Sequence, residues 1–518
     1  MSYRRFSSSA FMSYKKFVLI FVLAVVLFAF SVVSFNVLSD PYGIWRIGQW
    51  QGINRYAIQG EAMERMAKPL AAVAYAPETV ILGDSLSNLG LDPKGYEERT
   101  GRRTYNMAVD SASPFEMRCY VEHLLKADVG LREIIVEANL AMLYPGDSFQ
   151  PGFDGQQIGH GFPVPNLIVK SVFSADAIEA GWDSFKLNRE ELLSYPSHDE
   201  NGMLSEGQQK RNYDDNWFYN FLQLNLRMGA NRDWQIDWNR LDEYRQMKDL
   251  CAEHGVKFKI FLPPMSAVAL NAMSESYGKA TMMQLWKGIT DISPMYNFSG
   301  IGIWNESASP EDKHFFWDAN HMKPELGKMV LAVLAGEDVG WHGFGQIVEA
   351  SNVQEAVEQQ FEEMEKWRQS HPMLWYGASH LGRFTKADRS LPEPGGIPGL
   401  VHIDALNGKS LSMEPMRLSS QNGLQVSGWS VVYKKKHRTF IALKDDAGIW
   451  YVTLAAPVRR DDMLQLTHFP AYTESAGFDA NVSLRGLPVG NYQLHIWEIE
   501  SGNKGFLSDC LATITIVD

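Results

Sequence analysis

The sequence predicts an α/β protein built on a parallel sheet, preceded by one transmembrane helix and followed by an all-β sandwich. Three observations carry this reading. Between residues 79 and 334, short apolar runs alternate with amphipathic stretches, the pattern of βαβ units that close a parallel sheet. From about residue 399 the runs alternate apolar and polar residues between Gly and Asp turns, as sandwich strands do. Phe17 to Leu38 carries no charge, and ~20 apolar residues suffice to cross the hydrocarbon core as a helix.

The elements follow in order. Arg4, Arg5, Lys15 and Lys16 precede the apolar run, and Asp40, Tyr42 and Trp45 follow it. The positive-inside rule places the tail 1–16 in the cytoplasm, the anchor at 17–38 and the remaining chain outside. A cleaved signal peptide would have a shorter apolar region of ~7–15 residues and a small-residue exit. Within 41–78 an anchor-proximal segment leads to a helix bearing Met63, Met66 and Leu70, ended by Pro77. Val80–Leu82, Thr104–Val109, Glu133–Glu137 and Val256–Leu262 read as four short strands. Phe115–Ala127, Trp238–His254 and Pro324–Leu334 read as helices, with Gly255 as the C′ residue of the second. Residues of about 145–235 are rich in Gly, Pro, Asn and aromatics; they form an insertion, either a substrate lid or a structural excursion. Val348–Gln369 places Val353, Val357, Phe361 and Met364 on one face, and 377–398 has linker composition. The expected organisation is a domain at 41–340, an amphipathic helix and linker at 341–398, and a sandwich at 399–518. In the sandwich, Trp429, Tyr433, Trp450, Tyr451 and Trp497 are either a sugar-stacking face, which would make it a carbohydrate-binding module, or core and ordinary surface.

Composition narrows the function. The chain is 45% apolar and 21% charged, with 61 acidic against 48 basic residues and a net charge of −13. No basic field is available to displace counterions from nucleic acid. Cys119, Cys251 and Cys510 are odd in number and widely spaced. They read as buried free thiols, with neither metal-ligand spacing nor a disulfide framework. No metal or cofactor is expected.

The chemistry concentrates at two places. Gly83-Asp84-Ser85-Leu86 follows directly on Thr79–Leu82, and Asp318-Ala319-Asn320-His321 stands just ahead of the Pro324–Leu334 helix. A serine in a tight turn after a strand can present its hydroxyl, and an Asp three residues before a His can orient the imidazole. Each residue also has a plainer role open to it: Ser85 in a turn, Asp318 as a helix N-cap, His321 at the surface and Asn139 in a loop. In a parallel sheet, sites gather at the C-terminal ends of strands. Ser85, Asn139–Leu140 and Pro263–Ser266 each follow a strand.

Taken together, the two motifs and their order resemble the SGNH, or GDSL, hydrolase family over roughly residues 78–335. The resemblance implies a three-layer α/β/α fold. It also implies Ser85 as nucleophile, His321 as general base and Asp318 as its orienting carboxylate. The oxyanion hole would be formed by the Ser85 N–H, the Ala108 N–H and the Asn139 side chain. Ala108, Ser111 and Glu137 stand where the family usually has glycine. Asp40-Pro41-Tyr42-Gly43-Ile44-Trp45 after an anchor, Pro263-Pro264 after a strand, and Phe316–Pro324 further resemble membrane-anchored bacterial proteins of polysaccharide O-acetylation, the alginate type included. That likeness implies acetyl transfer to an envelope or exported polysaccharide, outside the cytoplasmic membrane, beside a membrane-bound O-acyltransferase as acyl donor. The alternatives are a carbohydrate esterase with the same triad, or a non-catalytic member that binds glycan or organises an export complex.

Overall fold

The computed structural model of the chain describes residues 8–517 apart from 46, 49, 55–60, 145–151, 154, 191–197, 205–217, 219–220, 223, 227–235, 307–313, 372–374, 376–383, 388–398, 412–413, 421–422, 433–436, 459, 461–475, 485 and 501–504. It is a mixed α/β protein with a parallel sheet and antiparallel strands toward the C-terminus. The chain divides into two compact units. The first comprises Met1–Arg211, Asp237–Phe261 and Gly327–Val339, and the second Asn212–Ile236, Leu262–Leu326 and Gly340–Asp518. The division cuts across the expected domain boundary, because Leu262–Leu326 groups with the C-terminal strands.

The first unit opens with helix α1 (Ser8–Ser39), of which Tyr14–Ser39 is long and apolar enough to cross a membrane. The chain turns sharply after it. Asp40 adopts a φ of 37°, and its Oδ1 accepts the Ile44 and Trp45 N–H groups at 2.8 and 3.1 Å. This turn buries Tyr42 and Ile44 against Met66, Leu70, Leu167 and Ala177. Helix α2 (Glu61–Tyr75) ends two residues before Pro77, and Pro69 lies within it. Then come β1 (Thr79–Leu82), α3 (Ser85–Gly90), α4 (Pro93–Thr100), β2 (Thr104–Asn106), α5 (Pro114–Lys126) and β3 (Glu133–Glu137). Among the described residues, the expected insertion includes helices α6 (Pro165–Phe173) and α7 (Ala175–Glu190); much of its remainder lies outside the described residues. Helix α8 (Leu241–Glu253) leads to Gly255, whose φ of 68° suits the residue just past a helix end. Next is β4 (Lys257–Leu262), and the strands lie parallel in the order β2-β1-β3-β4. All of β1 and β3 is buried, as strands covered on both faces are.

The second unit contains α9 (Ala267–Thr290), β5 (Met295–Asn297), the start of α10 (Pro324–Leu334), β6 (Gln346–Val348) and α11 (Val353–Ser370). β5 and β6 pair antiparallel. Val353, Val357 and Met364 of α11 are buried, as their spacing predicts. The strands that follow are β7 (Thr385–Lys386), β8 (Gly399–Leu406), β9 (Met416–Ser419), β10 (Gly423–Val432), β11 (His437–Asp445), β12 (Trp450–Leu454), β13 (Ala456–Val458), β14 (Gly477–Ser483), β15 (Gly490–Glu500), β16 (Gly505–Leu507) and β17 (Ala512–Val517). One sheet runs β13-β14-β10-β8 and the other β7-β12-β11-β15-β17-β9, with β16 on β15. Ile403, Val426 and Phe478 of the first sheet share a core with Ile441, Leu494 and Ile514 of the second. A separate cluster packs Phe440, Val452 and Trp497 against Val268, Ala272 and Trp367. Cys119 and Cys251 are buried free thiols, but Cys510 is exposed, because its strand begins only at Ala512. Most of the expected linker 377–398 lies outside the described residues.

Candidate functional site

Ser85 is the first residue of α3, directly after β1. Asp84 caps that helix, its Oδ1 accepting the Leu86 N–H at 2.8 Å. Gly83 is dictated by space, since a Cβ there would lie 2.5 Å from both Glu137 Oε2 and Ser87 Oγ. Helix α3 has only 6 residues, so any dipole felt at Ser85 is that of little more than one turn.

Glu137, at the end of the neighbouring strand β3, is a carboxyl whose part in the site was not legible in the sequence. It is fully buried. Its Oε2 accepts the Ser87 N–H at 3.1 Å and the Ser87 hydroxyl at 2.5 Å. Asn139 Nδ2 donates to Glu137 Oε1 at 2.6 Å and to Asp84 Oδ2 at 3.0 Å. The Met142 N–H donates to Asn139 Oδ1 at 3.1 Å, which fixes the direction of the amide. Burial pushes the Glu137 carboxyl well above the usual carboxylate range, and the Asp84 charge and its hydrogen bond push the same way. Ser87 and Asn139 oppose them. The neutral acid is the favoured form, able to donate to Asp84.

The expected oxyanion donors are accordingly engaged. Both Asn139 amide hydrogens go to carboxyls. The Ala108 N–H is donated to Asn106 Oδ1 at 3.0 Å, while Asn106 Nδ2 donates to the Ser87 and Leu91 carbonyls at 3.0 and 2.8 Å. Asn106, the last residue of β2, thus ties the middle of α3 and the residue just past its end to the loop after β2. Of the substituted glycine positions in that loop, Ser111 has a φ of 58°, whereas Ala108 is not in the positive-φ region. The left-handed conformation costs a serine about 1–2 kcal/mol.

Helix α2 braces the same region with buried charge. Lys68 Nζ donates to Asn88 Oδ1 at 2.9 Å and to the Ala108 carbonyl, and lies 3.1 Å from Glu64 Oε1. Asn88, three residues after Ser85, donates to Glu64 Oε1 at 2.8 Å and to Asp110 Oδ1 at 3.0 Å. His198 Nε2 lies 3.0 Å from the same Glu64 oxygen. Burial would raise the Glu64 carboxyl, but Lys68 and His198 outweigh it and hold the group at about 2. Burial lowers the Lys68 ammonium below its ordinary value, with Glu64 and Asp110 opposing.

Asp318 and His321 belong to the second unit, and Ser85, Ala108 and Asn139 to the first. The Asp318 loop is closed by a bridge between Phe316 and Met322. Asp318 is not a helix N-cap: Oδ1 accepts the Asn320 and His321 N–H groups at 2.8 and 2.9 Å, and α10 begins later, at Pro324. Its Oδ2 lies 2.8 Å from His321 Nδ1. Asp318 is fully buried and His321 is 5% exposed. The Phe221 ring meets the imidazole edge-on at 4.7 Å, and Ser266, the cap of α9, donates to the Ala319 carbonyl at 2.7 Å. Loop, ring and cap hold one imidazole orientation.

The sandwich aromatics that are described divide between core and partly covered positions. Trp497 is buried, with Trp450 packed against the same cluster and Tyr451 against the other core. Trp429 is half-buried beside His402, at 5.7 Å between rings. Tyr433 lies outside the described residues. Among the described residues, no group of three or more His, Cys, Asp or Glu could hold a metal ion.

No family model and no curated protein matches the chain. Among solved structures it is similar to a nucleoside hydrolase-related hypothetical protein from Saccharophagus degradans, associated with carbohydrate metabolism. The identity is 9%, covering 85% of this chain and 99% of that one, with a TM-score of 0.14. That likeness carries no argument about fold or function.

Proposed function

We propose that the chain is an SGNH-type serine acyltransferase with a three-layer α/β/α catalytic fold, transferring an acyl group, acetyl by preference, to an envelope or exported polysaccharide outside the cytoplasmic membrane. The observation that carries this is the buried His321–Asp318 pair, its Nδ1 to Oδ2 distance 2.8 Å, together with a serine in the turn after a central parallel strand. Asp318 fixes the imidazole with Nδ1 protonated, leaving Nε2 as the base. His321 Nε2 takes the Ser85 proton as Oγ attacks the ester carbonyl carbon. The tetrahedral intermediate collapses, the carbonyl–leaving-group bond breaks, and His321 returns the proton to the leaving group. A sugar hydroxyl, deprotonated by His321, then attacks the acyl carbon, the bond from that carbon to Ser85 Oγ breaks, and His321 returns the proton to Oγ. The Ser85 N–H and the Asn139 amide, on exchanging one carboxyl for the substrate oxygen, would stabilise the oxyanion. A membrane-bound O-acyltransferase is the acyl donor that such an anchored enzyme would serve.

One observation favours a second reading. The engaged Asn139 and Ala108 donors suit a non-catalytic protein that binds glycan or organises an export complex. The test is turnover of a chromogenic acetyl ester by the full chain in nanodiscs, with and without an O-acetylatable polysaccharide. The expected result is acetyl transfer to the glycan in preference to water, abolished by Ser85→Ala. Asp318→Asn, which reverses the tautomer, should lower turnover by roughly 10³–10⁴-fold. Release to water alone would make the protein an esterase. Turnover that survives Ser85→Ala, or none at all with glycan binding intact, would overturn the catalytic reading.

A further inference from the structure

The α6–α7 hairpin exposes apolar side chains beside the end of the apolar helix α1. Val169 and Phe173 on α6 are 57% and 56% exposed, Ile178 and Trp182 on α7 are 41% and 53% exposed, and Phe162 just ahead of α6 is 85% exposed. Residues four apart share a helix face, so each pair forms a stripe. Phe185 extends the second, stacking on Trp182 at 6.0 Å between rings. Exposed patches of this kind mark a surface that something else covers.

The position of the hairpin identifies what that is. Asn36 of α1 donates to the Val172 carbonyl at 2.8 Å, immediately beside Phe173, and Ser184 donates to the Ser39 carbonyl at 3.3 Å. Gly181 lies so near α1 that a Cβ would come within 2.9 Å of the Phe35 ring and 2.8 Å of Ser39 Oγ. Trp182 is the next residue. The exposed stripes therefore continue the apolar surface of α1 at the level where its span ends. Lys170, Lys186 and Arg189 are exposed on the same two helices, with Asp176 and Glu179 also exposed on α7 and Lys186 paired with Asp183 at 3.2 Å; the Arg189 guanidinium lies 5.4 Å from the Phe185 ring centroid. Tryptophan at a membrane–water boundary with nearby cations is the composition of an interfacial helix, which sinks its apolar face ~5–10 Å into the headgroup region. Tyr42 and Trp45, the aromatics that follow α1 in sequence, are turned into the protein instead.

We propose that the hairpin of α6 and α7 is a second membrane contact, seated in the lipid interface through Phe162, Val169, Phe173, Ile178 and Trp182. Its occupant is the bilayer that α1 crosses, so the inference rests on reading α1 as a span. Two points of attachment would fix the tilt of the first unit over the membrane, which one helix alone does not.

The test uses the full chain reconstituted in phosphatidylethanolamine–phosphatidylglycerol vesicles carrying nitroxide lipids. A polarity-sensitive fluorophore is attached at Phe173→Cys or Trp182→Cys in a Cys510→Ser background, since Cys119 and Cys251 are buried. Phe28→Cys in α1 is the control for the span, and exposed Lys94→Cys is the control for water. The proposal predicts blue-shifted emission at 173 and 182. Quenching there should be several-fold greater than at 94, and greater from a shallow than a deep nitroxide, with the depth order reversed at 28. Emission at 173 and 182 matching that at 94, with 28 still quenched, would overturn the inference and leave the span standing, the surface then being open to a protein partner. Absence of quenching at 28 as well would overturn both.

Discussion

Glu137 decides the character of the turn that carries Ser85. It occupies the space that makes Gly83 obligatory, takes one Asn139 hydrogen, and holds Ser87 through two hydrogen bonds. Its carboxyl is raised by burial and by Asp84, so stability should fall as pH rises. Below about 4.3, the ordinary Glu value, folded and unfolded chains are both protonated and nothing is lost. Above it the unfolded chain ionises while the folded one does not, and up to about 1.4 kcal/mol is lost per pH unit until the raised folded value is reached. Glu137→Gln removes the ionisation, although its amide nitrogen, unlike Oε1, does not accept from Asn139. Its unfolding midpoint relative to the parent's should therefore climb from pH 4.5 upward. A margin independent of pH would show that Glu137 is ionised in the fold. The Asp318–His321 pair was legible, because three-residue spacing on one loop brings carboxylate and imidazole together. Glu137 was not, since nothing local in a strand ending in glutamate announces a buried carboxyl facing Asp84.

At the scale of elements, α2 contributes charge where its spacing promised only an apolar face. Glu64 and Lys68 stand one turn apart, a pattern that normally marks a solvated ion pair; here both are buried and tied to α3 through Asn88. Lys68→Met should destabilise the protein by about 3–5 kcal/mol, the usual result of leaving one buried partner uncompensated. Adding Glu64→Gln should recover part of that loss. Glu64 sits at about 2, so its contribution is present above the ordinary Glu range and lost as pH falls toward 2. The acid limb of the parent's melting profile should flatten in the double variant, and an unchanged limb would assign it to other carboxyls. The strands β1 to β4 and the helices α5, α8, α10 and α11 were legible from apolar period and breakers. Helices α3 and α4 were not, being single short polar segments of 6 and 8 residues. Helix α9 was missed for a different reason: apolar and small residues surround it, and Gly278 interrupts it at a φ of 79°, so no single stripe emerges.

For the whole molecule, the sequence showed an apolar N-terminal helix, an α/β region and C-terminal antiparallel strands, and these are the architecture found. The grouping of Leu262–Leu326 with the C-terminal strands was not legible, because it depends on Val268, Ala272, Trp367 and Trp497 meeting across long sequence separations. Of the sandwich aromatics, Trp497 belongs to that cluster and Trp450 packs against it. The catalytic reading therefore rests on Ser85, His321 and Asp318 acting as one machine, and its covalent intermediate is the most direct object to measure. Full-chain protein exposed briefly to an activated acetyl ester and acid-quenched should carry a single acetyl group on the peptide containing Ser85. That label should be lost in Ser85→Ala and form far more slowly in His321→Ala. Acetylation at another residue, or undiminished labelling without Ser85, would contradict the account.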